Sequence, residues 1–116
     1  MPHQYDDWHW WRASADGRCA TLKEFEKLPP SAQGALLEIM KSWREGRTGR
    51  KEVNSLGGGI FELRHREGNN HFRVLYYVDG RVGVVLRSFY KNQQKCPPSE
   101  LETARQRMKT GCHGPA

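Results

Sequence analysis

Between residues 59 and 89 apolar and polar side chains alternate in three runs, 59–66, 70–78 and 81–89, set apart by glycine-bearing turns. A period of two belongs to strands, because successive side chains of an extended chain leave opposite faces. Upstream the period changes. Ala32, Leu36, Ile39, Met40 and Trp43 recur at three- and four-residue steps, which predicts a helix over 31–44. A shorter helix precedes it, with Leu22, Phe25 and Leu28 on one side and Thr21 and Glu24 spaced as a capping box. Pro29-Pro30 separates the two, since proline cannot continue a helix that precedes it. Pro97-Pro98-Ser99 opens a last helix to about Lys109, with Leu101, Ala104 and Met108 turned inward. Residues 8–13 read as a first strand and 46–56 as a basic, glycine-containing loop, while 1–7 and 110–116 are expected to be flexible.

Turn chemistry sets the register. A two-residue turn at Gly68-Asn69 pairs Arg64 with Arg73, Arg66 with His71, and Leu63 with Val74 on the other face. For the next connection, a three-residue loop Val78-Asp79-Gly80 with Gly80 left-handed keeps the faces consistent. It gathers Phe72, Val74, Tyr76, Val82, Val84 and Leu86 on one side and His71, Arg73, Val85 and Arg87 on the other. The expected fold is α+β: an N-terminal helix hairpin on one face of a small, twisted, mainly antiparallel sheet, with a C-terminal helix, the other face open and basic. One domain accounts for all 116 residues.

Charge gives that basic face a meaning. The chain carries a net +6 with a pI near 9.5. Arginines repeat at period-two positions on strands, and their planar forks match phosphate. A polyanion, nucleic acid first, is the indicated partner. Three cysteines, Cys19, Cys96 and Cys112, are odd in number and lack metal-type spacing, which fits a reducing cytoplasm. There is no run of membrane-spanning length and no secretion-signal pattern. His3, His9 and His113 form no ligand cluster, so neither metal nor cofactor is expected.

An ordered set of motifs resembles the RelE/HigB superfamily of bacterial toxins, in its phage-derived HigB-like branch. The pieces are Glu62-Leu63-Arg64, Phe72-Arg73-Val74-Leu75-Tyr76, Phe89-Tyr90-Lys91, and Lys95-Cys96-Pro97 ahead of the last helix. The tryptophan-rich strand at the N-terminus departs from the pattern. The resemblance implies a RelE-like fold and an endoribonuclease that cuts mRNA, often on the translating ribosome. It also implies a small antitoxin partner, commonly a helix-turn-helix protein. Arg73, Arg64 and Lys91 match the family's active basic positions. Asn92 stands where many relatives carry a second basic residue, and the last helix lacks the tyrosine some relatives use, so the general acid is not assigned by resemblance.

Metal-free RNA cleavage needs a base for the 2′-hydroxyl, cations for the crowded phosphorane and an acid for the leaving oxygen. Arg64 and Arg73 are candidates for the phosphate clamp. His71 is the preferred base, since it titrates near neutrality, and Lys91 is the competing base or acid. Arg66, Arg87, Lys95, Arg50 and Lys51 are candidates for RNA contact. The alternatives are a ParE-like inhibitor of DNA gyrase on the same fold and a module that holds RNA without cutting it.

Overall fold

In a computed structural model the chain forms β1 (Asp7–Arg12), α1 (Ala20–Glu26), α2 (Pro30–Arg44), β2 (Val53–Gly57), β3 (Ile60–Glu67), β4 (Asn70–Asp79), β5 (Val82–Lys91), α3 (Pro98–Lys109) and β6 (Cys112–Gly114). The structure describes residues 7–49, 52–92 and 95–115. One mixed sheet runs β2-β3-β4-β5-β1-β6, antiparallel except where β1 lies parallel to β5. The three strands read from alternation are present, as are the helix hairpin and the last helix. Residues 53–57 and 112–114, expected as loop and flexible tail, instead pair with β3 and β1. The tail is held further by the Trp11 indole, which donates to the Thr110 carbonyl at 2.7 Å, and by contact between the His9 and His113 Nδ1 atoms at 2.8 Å.

Each face of the sheet has its own core. On one, α1 and α2 bury Phe25, Leu28, Ala32, Leu36, Met40 and Trp43 against Trp8, Trp10, Leu63, Phe72, Val74, Tyr76 and Val85. The Trp8 indole donates to the Met40 carbonyl at 2.9 Å and fixes β1 to α2. On the other, α3 sets Ala104, Leu101 and Met108 against Trp11, Ile60, Leu75, Val84, Leu86 and Phe89. The expectation of an open second face is therefore corrected. The last helix lies across much of it, because the apolar run 82–86 puts side chains on both faces and the second set needs cover.

The register of β3 and β4 is the expected one, with Arg64 opposite Arg73, Arg66 opposite His71 and Leu63 opposite Val74. That of β4 and β5 is not. Asp79 pairs with Val82 across a two-residue turn, Gly80-Arg81, and Gly80 is left-handed at φ 62°. The pairing then shifts between Leu75 and Tyr76. This bulge lets Tyr76 and Val85 face the hairpin core while Val84 and Leu86 join the other. The grouping of Val84 and Leu86 with Phe72 and Val74 is corrected accordingly.

The capping box is also replaced. Helix α1 is preceded by Cys19, with no side-chain cap. The Thr21 hydroxyl donates instead to the Trp11 carbonyl at 2.9 Å, and Glu24 turns to two arginines.

Candidate active site

Three strands carry the polar groups of the α3 face as a grid. At the end of the sheet, Arg66, His71 and Lys91 lie abreast on β3, β4 and β5. One step inward come Arg64, Arg73 and Phe89, and one step further Glu62, Leu75 and Arg87. Directly opposed residues of antiparallel strands hold their Cβ atoms about 5 Å apart, so each line of three is a contact group. The bulge assigns the third column. It brings Lys91 opposite His71 and draws Arg87 inward, opposite Leu75.

Burial rises along the grid. Arg66 and Lys91 are exposed and His71 is half-buried. The Arg64 side chain is 31 % exposed, whereas Arg73 has no exposed surface and Glu62 only 2 %. Arg73 was expected to meet a phosphate directly; it lies instead beneath the surface, under the cover of the α3 side. Its Nε is 3.9 Å from Glu62 Oε2, and the Arg64 Nε is 3.6 Å from Glu62 Oε1. Asn54, from β2, donates to the same Oε1 at 3.4 Å.

Arg87 is placed for a different task. Its Nη1 is 2.6 Å from Glu24 Oε2, and its Nε donates to Glu100 Oε2 at 3.2 Å. Glu24 also accepts from both Arg107 terminal nitrogens, at 2.9 and 2.8 Å. Arg107 donates to the Leu86 carbonyl at 2.8 Å and lies over the Trp11 ring at 4.9 Å. The network ties α1, β5 and α3 together. With two carboxylates on its guanidinium, Arg87, expected to contact RNA, is placed as a brace between the helices and the sheet. Although burial acts the other way, its hydrogen bonds to Glu100 and the charge of Glu24 raise its pKa further.

Lys95 is exposed beside a cavity of about 550 Å³, which Asn54, Leu56, Glu62, Arg64, Cys96 and Leu101 also line. Arg50 and Lys51 lie outside the described residues. Among the described residues no three of His, Cys, Asp and Glu gather to hold a metal ion, and no helix is long and apolar enough to cross a membrane.

The His71 pKa lies below the ordinary histidine value. Partial burial disfavours the cation, and Arg73, Arg66 and Arg64 repel it, with Glu62 acting weakly the other way. Neutral imidazole, the form that can accept a proton, is thus favoured. The Cys96 thiol is pushed up, first by burial and then by Glu62, with Arg73 opposing. It is a poor nucleophile in that state.

Glu62, Glu24 and Glu100 were not recognised from sequence as parts of this face. For Glu62 a signal existed: it precedes Arg64 by two residues on a strand, so alternation puts both on one side. Nothing local marked Glu24 and Glu100, which reach the arginines from separate helices.

Comparison with known proteins adds the following. Residues 23–109 match the family described as phage-derived, Gp49-like protein. Two curated relatives, each called probable endoribonuclease HigB1, come from Mycobacterium tuberculosis strains CDC 1551 / Oshkosh and ATCC 25618 / H37Rv. Each is 44 % identical over 108 residues, covering 93 % of this chain and 86 % of the relative. A solved toxin–antitoxin complex, RelBE2 of the same organism, overlaps with a TM-score of 0.48 at 21 % identity, across 78 % of this chain and 100 % of the matched one.

Proposed function

The chain belongs to the phage-derived Gp49-like family, and from that premise we propose that it is the toxin of a toxin–antitoxin pair, an endoribonuclease that cuts mRNA without a metal. Relatives named as endoribonucleases support the reaction class. The observation that carries the site is the line Arg66–His71–Lys91, exposed at both ends and half-buried at His71, beside Arg64 at the end of a face that α3 otherwise closes.

Neutral His71 takes the proton of the ribose 2′-hydroxyl. The freed oxygen attacks the adjacent phosphorus as the bond to the 5′-oxygen breaks. Lys91, its register partner, gives that leaving oxygen a proton. The products are a 2′,3′-cyclic phosphate and a 5′-hydroxyl. Arg64 faces the phosphate and Arg73 adds positive charge from below; both oppose the negative charge that grows on the phosphorane. Arg66 and Lys95 hold neighbouring phosphates, with Arg50 and Lys51 as further contacts. Cleavage takes place on the translating ribosome in the cytoplasm, and a small helix-turn-helix antitoxin silences it by covering the basic end.

Primer extension on mRNA from cells expressing the wild type, His71→Ala and Lys91→Ala tests this. New 5′-ends are expected for the wild type only. Identical patterns in all three would refute the assignment.

A further inference from the structure

We propose that Glu62 is a positioning residue of the cleavage site, its buried carboxylate holding Arg64 at the angle that meets the scissile phosphate, with Arg73 as the second cation it anchors. The inference rests on the ribonuclease reading above. A carboxylate is out of place in a surface that binds anions, because it weakens the attraction for phosphate. Here it lies among arginines on one face of the sheet. At 2 % exposure it cannot touch RNA, so it is neither a ligand nor the base. It meets both arginines at Nε, the nitrogen nearest the side-chain stem, at 3.6 and 3.9 Å. Asn54 steadies it from the next strand at 3.4 Å. At 3.6 and 3.9 Å the attraction is an ion pair rather than a hydrogen bond, and it draws the head of a long, flexible cation toward one place before substrate arrives.

Binding and rate are then expected to move apart. Glu62→Gln keeps the shape and removes the negative charge. RNA should be held as well as before or better, while a loosened Arg64 stabilises the transition state less. A purely structural role would worsen both together.

The test is single-turnover cleavage of a translated mRNA in a cell-free extract at increasing toxin concentration. Glu62→Gln should lower the maximal rate about 10- to 100-fold, the scale of a small misplacement of a catalytic group. The half-saturating concentration should stay level or fall, and its log–log dependence on salt should steepen by up to about 0.7, one further unit of effective positive charge on a single strand. Glu62→Asp, which keeps the charge, should recover part of the rate. If Glu62→Gln does not fold, Asn54→Ala, on an exposed strand, carries the test through a smaller loss of maximal rate at unchanged half-saturation. A Glu62→Gln protein with the wild-type maximal rate, or with both parameters worsened alongside a lower melting temperature, overturns the positioning role. An extract in which the wild type leaves the mRNA whole sinks the ribonuclease reading and this role with it.

Discussion

Replacing Arg87 by methionine separates a brace from a phosphate ligand. The substitution keeps most of the stem and removes the guanidinium that bridges Glu24 and Glu100. Glu24 retains Arg107 at 2.8 Å, but Glu100 is 8 % exposed and loses its ion pair with Arg87. A charge-assisted hydrogen bond contributes about 1.5–3 kcal/mol, and breaking a fully buried pair costs about 3–5 kcal/mol. The Arg87 side chain is 27 % exposed, so water recovers part of that, and about 2–3 kcal/mol is the expected loss. For a domain of this size 1 kcal/mol lowers the melting temperature by about 4 °C, which gives a fall of roughly 8–12 °C. The double variant with Glu100→Gln should melt higher than Arg87→Met alone, because it removes the stranded carboxylate. Thermal melts by circular dichroism supply the stabilities, and cleavage below the transition supplies the function. An unchanged melting temperature together with RNA binding whose salt slope drops by about 0.7 would mean that Arg87 grips phosphate, and the brace would be refuted.

Three further outcomes follow from the same geometry. Because burial and then Arg73, Arg66 and Arg64 hold the His71 pKa down, the base stays neutral as the pH falls past the ordinary value of 6.5. Cleavage should therefore lose rate only on further acidification, and Arg66→Ala should move that limb to higher pH; a wild-type limb at or above 6.5 would contradict it. Lys91→Ala should slow cleavage by about 100- to 1000-fold while melting like the wild type, since the residue is exposed; single-turnover rates and melts read both. At Gly83 an added Cβ would lie 2.7 and 2.8 Å from Trp8 ring carbons and 2.9 Å from Trp43, so Gly83→Ala should cost about 1–3 kcal/mol in urea titration, and a neutral result would refute that packing.

Much of this architecture was legible because it is local. Alternation marks β3 to β5, a helical period marks α2, and the glycine turn at 68 fixes Arg64 opposite Arg73. What escaped was non-local or symmetric. Leu75 and Tyr76 are both apolar, and so are Val84, Val85 and Leu86, so no change of polarity betrays a shift of one residue. With the bulge unseen, α3 had no evident surface to cover and the second face read as open. β6, in Cys112-His113-Gly114, has almost no intrinsic strand preference and exists because β1 offers it an edge. Glu24 read as a helix cap, Glu62 as part of a motif and Glu100 carried no reading, and tertiary packing makes all three counterions.

The total of 19 lysines and arginines therefore overstates what the site can offer a nucleic acid. Arg87 and Arg107 are spent on Glu24 and Glu100 within the fold, and Arg73 is enclosed with Glu62. Among the described residues, the cations that reach the surface at the end of the grid are Arg66, Lys91 and Lys95, with Arg64 partly so. Each phosphate contact on a single strand adds only about 0.7 to the salt slope, so these four cations with the proposed contacts Arg50 and Lys51 amount to a slope of about 4 and modest affinity for naked RNA. A toxin built this way gains little from searching free transcripts. It gains more from a large assembly that already presents the mRNA strand, which is the physical argument for the proposed dependence on the ribosome. A steep salt dependence on free RNA, equivalent to many phosphate contacts, would contradict it.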